Sequence, residues 1–144
     1  MRLFHKDLIE VLPRQQLLGQ WRELNSIFKK QNKHILINFI YDYPIEDLLS
    51  YSLTIIQEFE KRKYKIKTME NFIDYFFINT LNKTKFDLSN INAKPFKNKM
   101  NKIYLRQCIY NLEEKAMCDG ISKNEWLKIY NKFKYDFDLW NGEV

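Results

Sequence analysis

The stretch Leu12-Pro13-Arg14-Gln15-Gln16-Leu17-Leu18-Gly19-Gln20-Trp21-Arg22-Glu23-Leu24 begins the first helix of this chain and decides its fold class. Pro13 suits the first turn of a helix, where the missing N–H breaks no hydrogen bond. Apolar side chains then recur at helical spacing, at Leu17, Trp21, Leu24 and Phe28. This periodicity predicts a helix from about Pro13 to Lys30 that packs its apolar face on the core.

The other face of this helix is unusual for a solvated surface. Gln16, Gln20 and Glu23 follow one another at i, i+4 and i+7, with Gly19 and Arg22 beside them. Solvated faces are ordinarily filled by strong helix formers, and a glycine inside a helix costs about 1 kcal/mol of stability. Glutamines hydrogen-bond without charge, and glycine permits close approach. The pattern therefore predicts a surface that a ligand occupies.

These residues also carry a family resemblance, which is strongest over residues 8–24. The segment ending in Arg22-Glu23-Leu24 resembles the first helix of the phage-type pyrimidine-dimer DNA glycosylases with AP-lyase activity, at the same distance from the N-terminus. Weaker similarity continues through Tyr43-Pro44 to Tyr64-Lys65-Ile66 and reappears at Trp126–Tyr130, whereas residues 68–98 show none. The resemblance implies a DNA-repair enzyme that acts on duplex DNA containing damaged bases.

The resemblance also implies which residues react. The N-terminal amine would attack the sugar C1′, expel the damaged base and leave a Schiff base, while Glu23 stabilises the sugar cation and moves protons, and Arg22 holds a phosphate. In the phage enzymes a small residue, exposed by loss of methionine, supplies this amine. Here Arg2 stands at that place, so the amine is expected on Met1, or on Arg2 if methionine is lost. Lys6 is an alternative nucleophile, and His5 a candidate substrate contact.

The charge balance favours a nucleic-acid partner. Twenty-four Lys and Arg against 18 Asp and Glu give a net charge of +6, although a Lys-rich composition from an AT-rich genome explains the excess equally well. We expect two sets of side chains to bind DNA. On the first helix they are Arg14, Gln15, Gln16, Gln20 and Arg22, with the glutamines either filling the gap that a displaced base leaves or holding that base. On the last predicted helix they are Lys128 and Lys132, spaced to meet successive phosphates.

The rest of the chain is also predicted to be helical. Further helices are expected from Pro44 into the basic cluster after Phe59, from the N-cap Thr68, from about Asn98 to Asp119-Gly120, and after the capping box Ser122-Lys123-Asn124-Glu125. Residues 33–43 are expected to form an ordered connection on the core, although their β-branched side chains also allow a short strand. Residues 79–97 are expected to form a loop. The prediction is one compact all-α domain of about five helices over residues 1–144, resembling the pyrimidine-dimer glycosylases.

Several classes of protein are excluded by what the sequence lacks. No apolar run approaches the roughly 18 residues of a membrane span, and charged residues interrupt any secretion signal, so a cytoplasmic protein is expected. His5 and His34 have no partners at metal-ligand spacing, and Cys108 and Cys118 are expected to be reduced, so neither metal nor cofactor is expected. A monomer is expected. Two alternatives stay open: a helical nucleic-acid-binding protein without catalysis, and a helical protein-interaction module.

Overall fold

The computed structural model describes residues 2–78 and 94–142, which form helices and connections without any strand. The α-helices in this part of the chain are α1 Arg14–Lys30, α2 Ile45–Lys61, α3 Met69–Ile73, α4 Lys102–Met117, α5 Lys123–Lys132 and α6 Lys134–Gly142. Short 3₁₀ helices cover Lys6–Val11 and Asn38–Asp42, and α3 continues as a π-helix over Asp74–Ile78. The predicted all-α class is confirmed, with six α-helices over the described ranges instead of about five.

Helices α1 and α2 carry the centre of the core because each has an apolar stripe of helical period. The predicted stripe of α1 is buried at Leu17, Trp21, Leu24 and Phe28. That of α2 is buried at Leu48, Leu49, Ile55, Ile56 and Phe59. Burying a large apolar side chain stabilises the fold by about 1.5–3 kcal/mol. The Trp21 indole also donates a hydrogen bond of 2.7 Å to the Lys67 carbonyl, which ties α1 to the segment leading into α3.

The connections differ in detail from their predictions. Residues 33–43 form an ordered connection, as expected, with Ile37 and Ile40 buried on the core. Thr68 precedes α3, but its predicted role as a side-chain cap was wrong. Its φ of 57° lies outside the extended region that capping residues adopt, and its hydroxyl donates to Asn25 Oδ1 at 3.0 Å. Of the predicted loop over residues 79–97, only residues 94–97 belong to the described part; the others lie outside it.

One carboxylate caps two helices. The predicted capping box of α5 is confirmed, because Ser122 Oγ accepts from the Glu125 amide and Glu125 Oε1 accepts from the Ser122 amide, each at 3.2 Å. Glu125 Oε2 also accepts from the Arg14 amide at 2.8 Å, which is the first N–H of α1. Partial burial raises the pKa of Glu125, but the hydrogen bonds from the Arg14 and Ser122 amides outweigh it and the pKa is lowered.

Arg62, which follows α2, holds the first 3₁₀ helix in place. Its guanidinium donates to the carbonyl groups of Leu12 at 2.8 Å, Glu10 at 3.2 Å and Ile9 at 3.3 Å, and pairs with Glu58 at 3.2 Å. This cation belongs to the basic cluster after Phe59, yet its donors point into the protein. No helix within the described ranges is both long enough and apolar enough to cross a bilayer.

Candidate functional site

The segment at residues 2–4 lies inside the protein, hydrogen-bonded to the face of α1 that carries the glutamines. Leu3 and Phe4 are fully buried. Gln20 Oε1 accepts from the Phe4 amide at 3.0 Å, and Gln20 Nε2 donates to the Arg2 carbonyl at 3.0 Å. The side chain of Gln20 thus bonds the main chain on both sides of Leu3, as a neighbouring strand would.

Two tyrosines bond the same segment from other helices. The Tyr51 hydroxyl, on α2, lies 2.8 Å from the Phe4 carbonyl oxygen and 2.9 Å from Gln20 Oε1. The Tyr104 hydroxyl, on α4, donates to the Leu3 carbonyl. Residues 2–4 are therefore held by side chains from α1, α2 and α4.

The prediction of an open polar face was wrong for two of its glutamines. Gln16 and Gln20 are 6% and 0% exposed, and the segment at residues 2–4 is hydrogen-bonded to Gln20. Gln16 Oε1 is buried without a hydrogen-bond partner, one helical turn before Gln20. A buried acceptor without a hydrogen bond costs free energy of folding. This oxygen is therefore suited to accept a hydrogen bond from a group outside the described residues. DNA contact by either glutamine stays a prediction.

The remaining residues of this face are accessible. Arg22 and Gln15 are exposed, and Glu23 is partly exposed three residues after Gln20. Side chains three apart on a helix are neighbours, with Cβ atoms about 5–6 Å apart. The main chain at Arg2 is therefore held beside the turn that carries Glu23. Met1, the predicted nucleophile, lies outside the described residues.

A basic cleft of about 690 Å³ opens beside Arg22. It is lined by Leu18, Trp21, Arg22, Asn25, Ser26, Lys29, Lys30, Phe59, Lys65, Lys67, Thr68 and Asn71. These residues include five cations and no carboxylate. Such a lining fits a phosphodiester backbone. The sequence showed the lysines only as two separate charge runs, and the packing of α1 against α2 and α3 brings the runs together.

The predicted DNA-binding residues of α1 and α5 are brought together in part. Arg14 and Lys128 line one cleft of about 330 Å³, in which the Arg14 guanidinium lies 4.8 Å from the Tyr64 ring centre. Lys132 points elsewhere, because its ammonium pairs with Glu10 and donates to the Asp7 carbonyl. The hydrogen bond from Lys132 lowers the pKa of Glu10. The expectation that Lys132 is open to phosphate was therefore wrong for this arrangement.

Other candidate reactive groups have structural partners. His5 is buried, its Nδ1 accepts from the Asp7 amide at 3.1 Å, and burial lowers its pKa. The Lys6 ammonium is paired with Asp7 Oδ1 at 3.0 Å. Cys108 and Cys118 are both free thiols, the first of them buried. Across residues 2–78 and 94–142, no group of three or more His, Cys, Asp or Glu side chains is arranged to hold a metal ion.

Comparison with known proteins finds one similarity, and it covers the part of the chain that carries this site. No match was found among curated proteins, and none among solved structures. The family model described as pyrimidine dimer DNA glycosylase matches residues 1–71, which include the segment at residues 2–4, α1 and α2. Just under half of the chain, residues 1–71, is therefore similar to the pyrimidine dimer DNA glycosylase family.

Proposed function

We propose that this protein removes pyrimidine dimers or related damaged bases from duplex DNA and cleaves the strand at the resulting abasic site. The observation that carries the proposal is the hydrogen bonding of the Arg2 main chain to Gln20, three residues before Glu23. An amine attached to this segment and a carboxylate on the same turn of α1 are the two groups that a glycosylase with lyase activity needs. The family match covers both.

The reaction follows from these two groups. The neutral amine of Met1, or of Arg2 if methionine is removed, attacks the sugar C1′ while the bond from C1′ to the base nitrogen breaks and the base leaves with a proton. The C1′–O4′ bond then opens, which gives an iminium ion between the amine and C1′. Glu23 takes a proton from C2′, and the 3′ phosphate leaves by β-elimination. Water hydrolyses the iminium ion and regenerates the free amine. Arg22 holds a phosphate of the damaged strand.

The proposed DNA interface includes two clefts that carry cations. The basic cleft beside Arg22 and the cleft shared by Arg14 and Lys128 supply cations for the phosphates. Gln15 is exposed for contact, and the unsatisfied Gln16 Oε1 would accept a hydrogen bond from an amino group of a displaced base. A base must leave the stack for this chemistry, which costs least at a distorted lesion.

The direct test is incision of defined substrates. We expect the purified protein, in excess chelator, to cut a duplex containing one cyclobutane dimer at the lesion and a duplex containing one abasic site at that site. The undamaged duplex of the same sequence is the control. Salt-dependent binding to all three duplexes without incision would instead support the non-catalytic nucleic-acid-binding alternative, and absence of binding would support the protein-interaction module.

The salt dependence of binding tests the proposed interface. Replacing Lys65 and Lys67 together by Gln is expected to reduce the slope of log K against log salt by up to about 1.8, because each phosphate contact contributes about 0.9. Damaged and undamaged duplexes should be weakened alike. Replacing Lys128 and Lys132 should reduce the slope by only about 0.9, because Lys132 is already paired with Glu10.

The matched control for these slopes is a double replacement of Lys115 and Lys123 by Gln, which removes the same charge outside both clefts. Slopes that fall equally in all three double variants would show a general effect of net charge. The two clefts would then have no special part in binding.

A further inference from the structure

The hydrogen bonds to residues 2–4 alternate as they do along an extended strand. Gln20 bonds the Arg2 carbonyl and the Phe4 amide, which point to one side of such a strand, and Tyr104 bonds the Leu3 carbonyl, which points to the other. The single hydroxyl proton of Tyr51 is shared between two acceptors, the Phe4 carbonyl oxygen and Gln20 Oε1. Each carbonyl of the segment therefore has a side-chain partner, and the main chain is held from both edges.

The residues that hold the segment are buried and polar, so their side chains require hydrogen-bond partners within the protein. Gln20 and Tyr51 are fully buried and Tyr104 is 4% exposed. Buried polar side chains persist where their donors and acceptors are satisfied, and here residues 2–4 satisfy them. Burial raises the pKa of both tyrosines well above the usual value, so both hydroxyls keep the proton that they donate.

We infer that Gln20, Tyr51 and Tyr104 are positioning residues, which fix the main chain at residues 2–4, the segment to which the proposed nucleophilic amine is attached. This inference rests on the proposed function, and it assigns to Gln20 a role other than the DNA contact expected from the sequence. Gln20 and Glu23 lie on one helix, so the rigid geometry of α1 sets the distance between the held segment and the carboxylate. Tyr51 and Tyr104 prevent the segment from leaving that helix.

The importance of this positioning follows from the geometry of nucleophilic attack. Reacting atoms need an approach of about 3–3.5 Å, and a displacement of about 1 Å can cost about 100-fold in rate. The bond from Gln20 Nε2 to the Arg2 carbonyl involves the residue that follows Met1 in the chain. Loss of that bond would therefore act on the amine more directly than loss of either tyrosine bond.

The sharpest variant is Gln20→Glu, because it keeps the shape and the acceptor for the Phe4 amide. Its carboxylate cannot donate to the Arg2 carbonyl, whereas its protonated carboxyl group can. We expect borohydride trapping on saturating abasic duplex to be about 100-fold slower than wild type at neutral pH, with the DNA dissociation constant within about twofold. The ratio of variant rate to wild-type rate should rise as the pH falls and the introduced carboxylate becomes protonated. Because an ionised carboxylate at this buried position also lowers stability, the rates are compared only at temperatures well below unfolding at each pH.

Single-hydroxyl variants provide an independent measure. Tyr51→Phe and Tyr104→Phe should each slow trapping by about 10-fold, because each variant loses one hydrogen bond that holds residues 2–4. Tyr130→Phe is the matched control, because this half-buried tyrosine of α5 packs on Phe137. It should trap abasic DNA at the wild-type rate. Reductive methylation of the terminal amine by formaldehyde should be no slower in any variant, since a small aldehyde needs no fixed orientation.

The outcomes separate this inference from the proposed function. Gln20→Glu and Tyr51→Phe proteins that fold and trap abasic DNA at the wild-type rate would overturn the positioning role. If wild type itself traps no DNA, the proposed function fails. Hydrogen exchange of the Phe4 amide then tests separately whether Gln20 holds residues 2–4. Faster exchange in Gln20→Glu than in Tyr130→Phe would support the holding of the segment, and equal exchange would overturn it.

Discussion

Glu23→Gln is expected to lower both base excision and strand cleavage by about 100-fold to 10,000-fold, the range that general acid–base groups contribute. The amide keeps the shape of the side chain and its helix, so the fold should be unchanged. It can neither stabilise a cationic sugar by charge nor take a proton from C2′. Affinity for abasic duplex should be equal or higher, because a negative charge near the phosphates has been removed. Single-turnover incision and equilibrium binding measure the two effects separately.

Glu58→Gln is a useful comparison for this variant, because Glu58 is a buried carboxylate of α2 that pairs with Arg62. It should lose stability and keep its incision rate at temperatures well below unfolding. A Glu23→Gln protein that cuts abasic DNA at the wild-type rate would remove Glu23 from the mechanism.

Blocking the terminal amine is expected to abolish covalent chemistry altogether. Borohydride should trap the unmodified protein on an abasic duplex, and peptide mapping should place the adduct on the amine of Met1, or of Arg2 if methionine is lost. Dimethylation of that amine leaves a tertiary nitrogen. Because this nitrogen has no N–H to lose, it cannot form the iminium ion that borohydride traps. An α-amino group has a reference pKa of about 7.7–8.0. Because only the neutral amine attacks, the trapping rate should rise with pH through the pKa of this group and level off above it.

Lys6→Arg separates the terminal amine from the alternative nucleophile. The arginine keeps a cation next to Asp7, with which Lys6 pairs, but it removes the primary amine. This variant should trap as wild type does. Loss of the adduct in Lys6→Arg would transfer the nucleophile to Lys6, with the Schiff-base mechanism otherwise unchanged.

The parts of the fold that depend on residues close together in the sequence could be predicted from it. The apolar period of α1 and α2 and the Ser122–Glu125 box are local patterns, and each of them appears as predicted. The start of α3 at Thr68 was predicted, but its capping was not. A positive φ at Thr68 depends on how the preceding segment packs, and no residue near Thr68 signals it.

The sequence indicated which residues belong to the candidate site, but it did not indicate which of them are buried. From sequence alone, a glutamine on a helix is assigned to the surface, because its hydrogen-bond partner is not visible. The partner of Gln20 is a main-chain segment 16 to 18 residues away. The pairing of Lys132 with Glu10 likewise depends on contact between α5 and the first 3₁₀ helix. Charge and polarity identified these residues as noteworthy, and the tertiary packing determined which of them point inward.

The double cap made by Glu125 makes the two halves of the chain depend on each other. The family match ends at residue 71, yet the first amide of α1 is bonded by a carboxylate from α5, and the Leu3 carbonyl by a hydroxyl from α4. The unmatched half therefore completes polar groups of the matched half. An exchange of C-terminal halves between relatives would have to supply a carboxylate and a hydroxyl at these two places. Elsewhere on α4 and α5, we expect surface substitutions to leave residues 2–71 undisturbed.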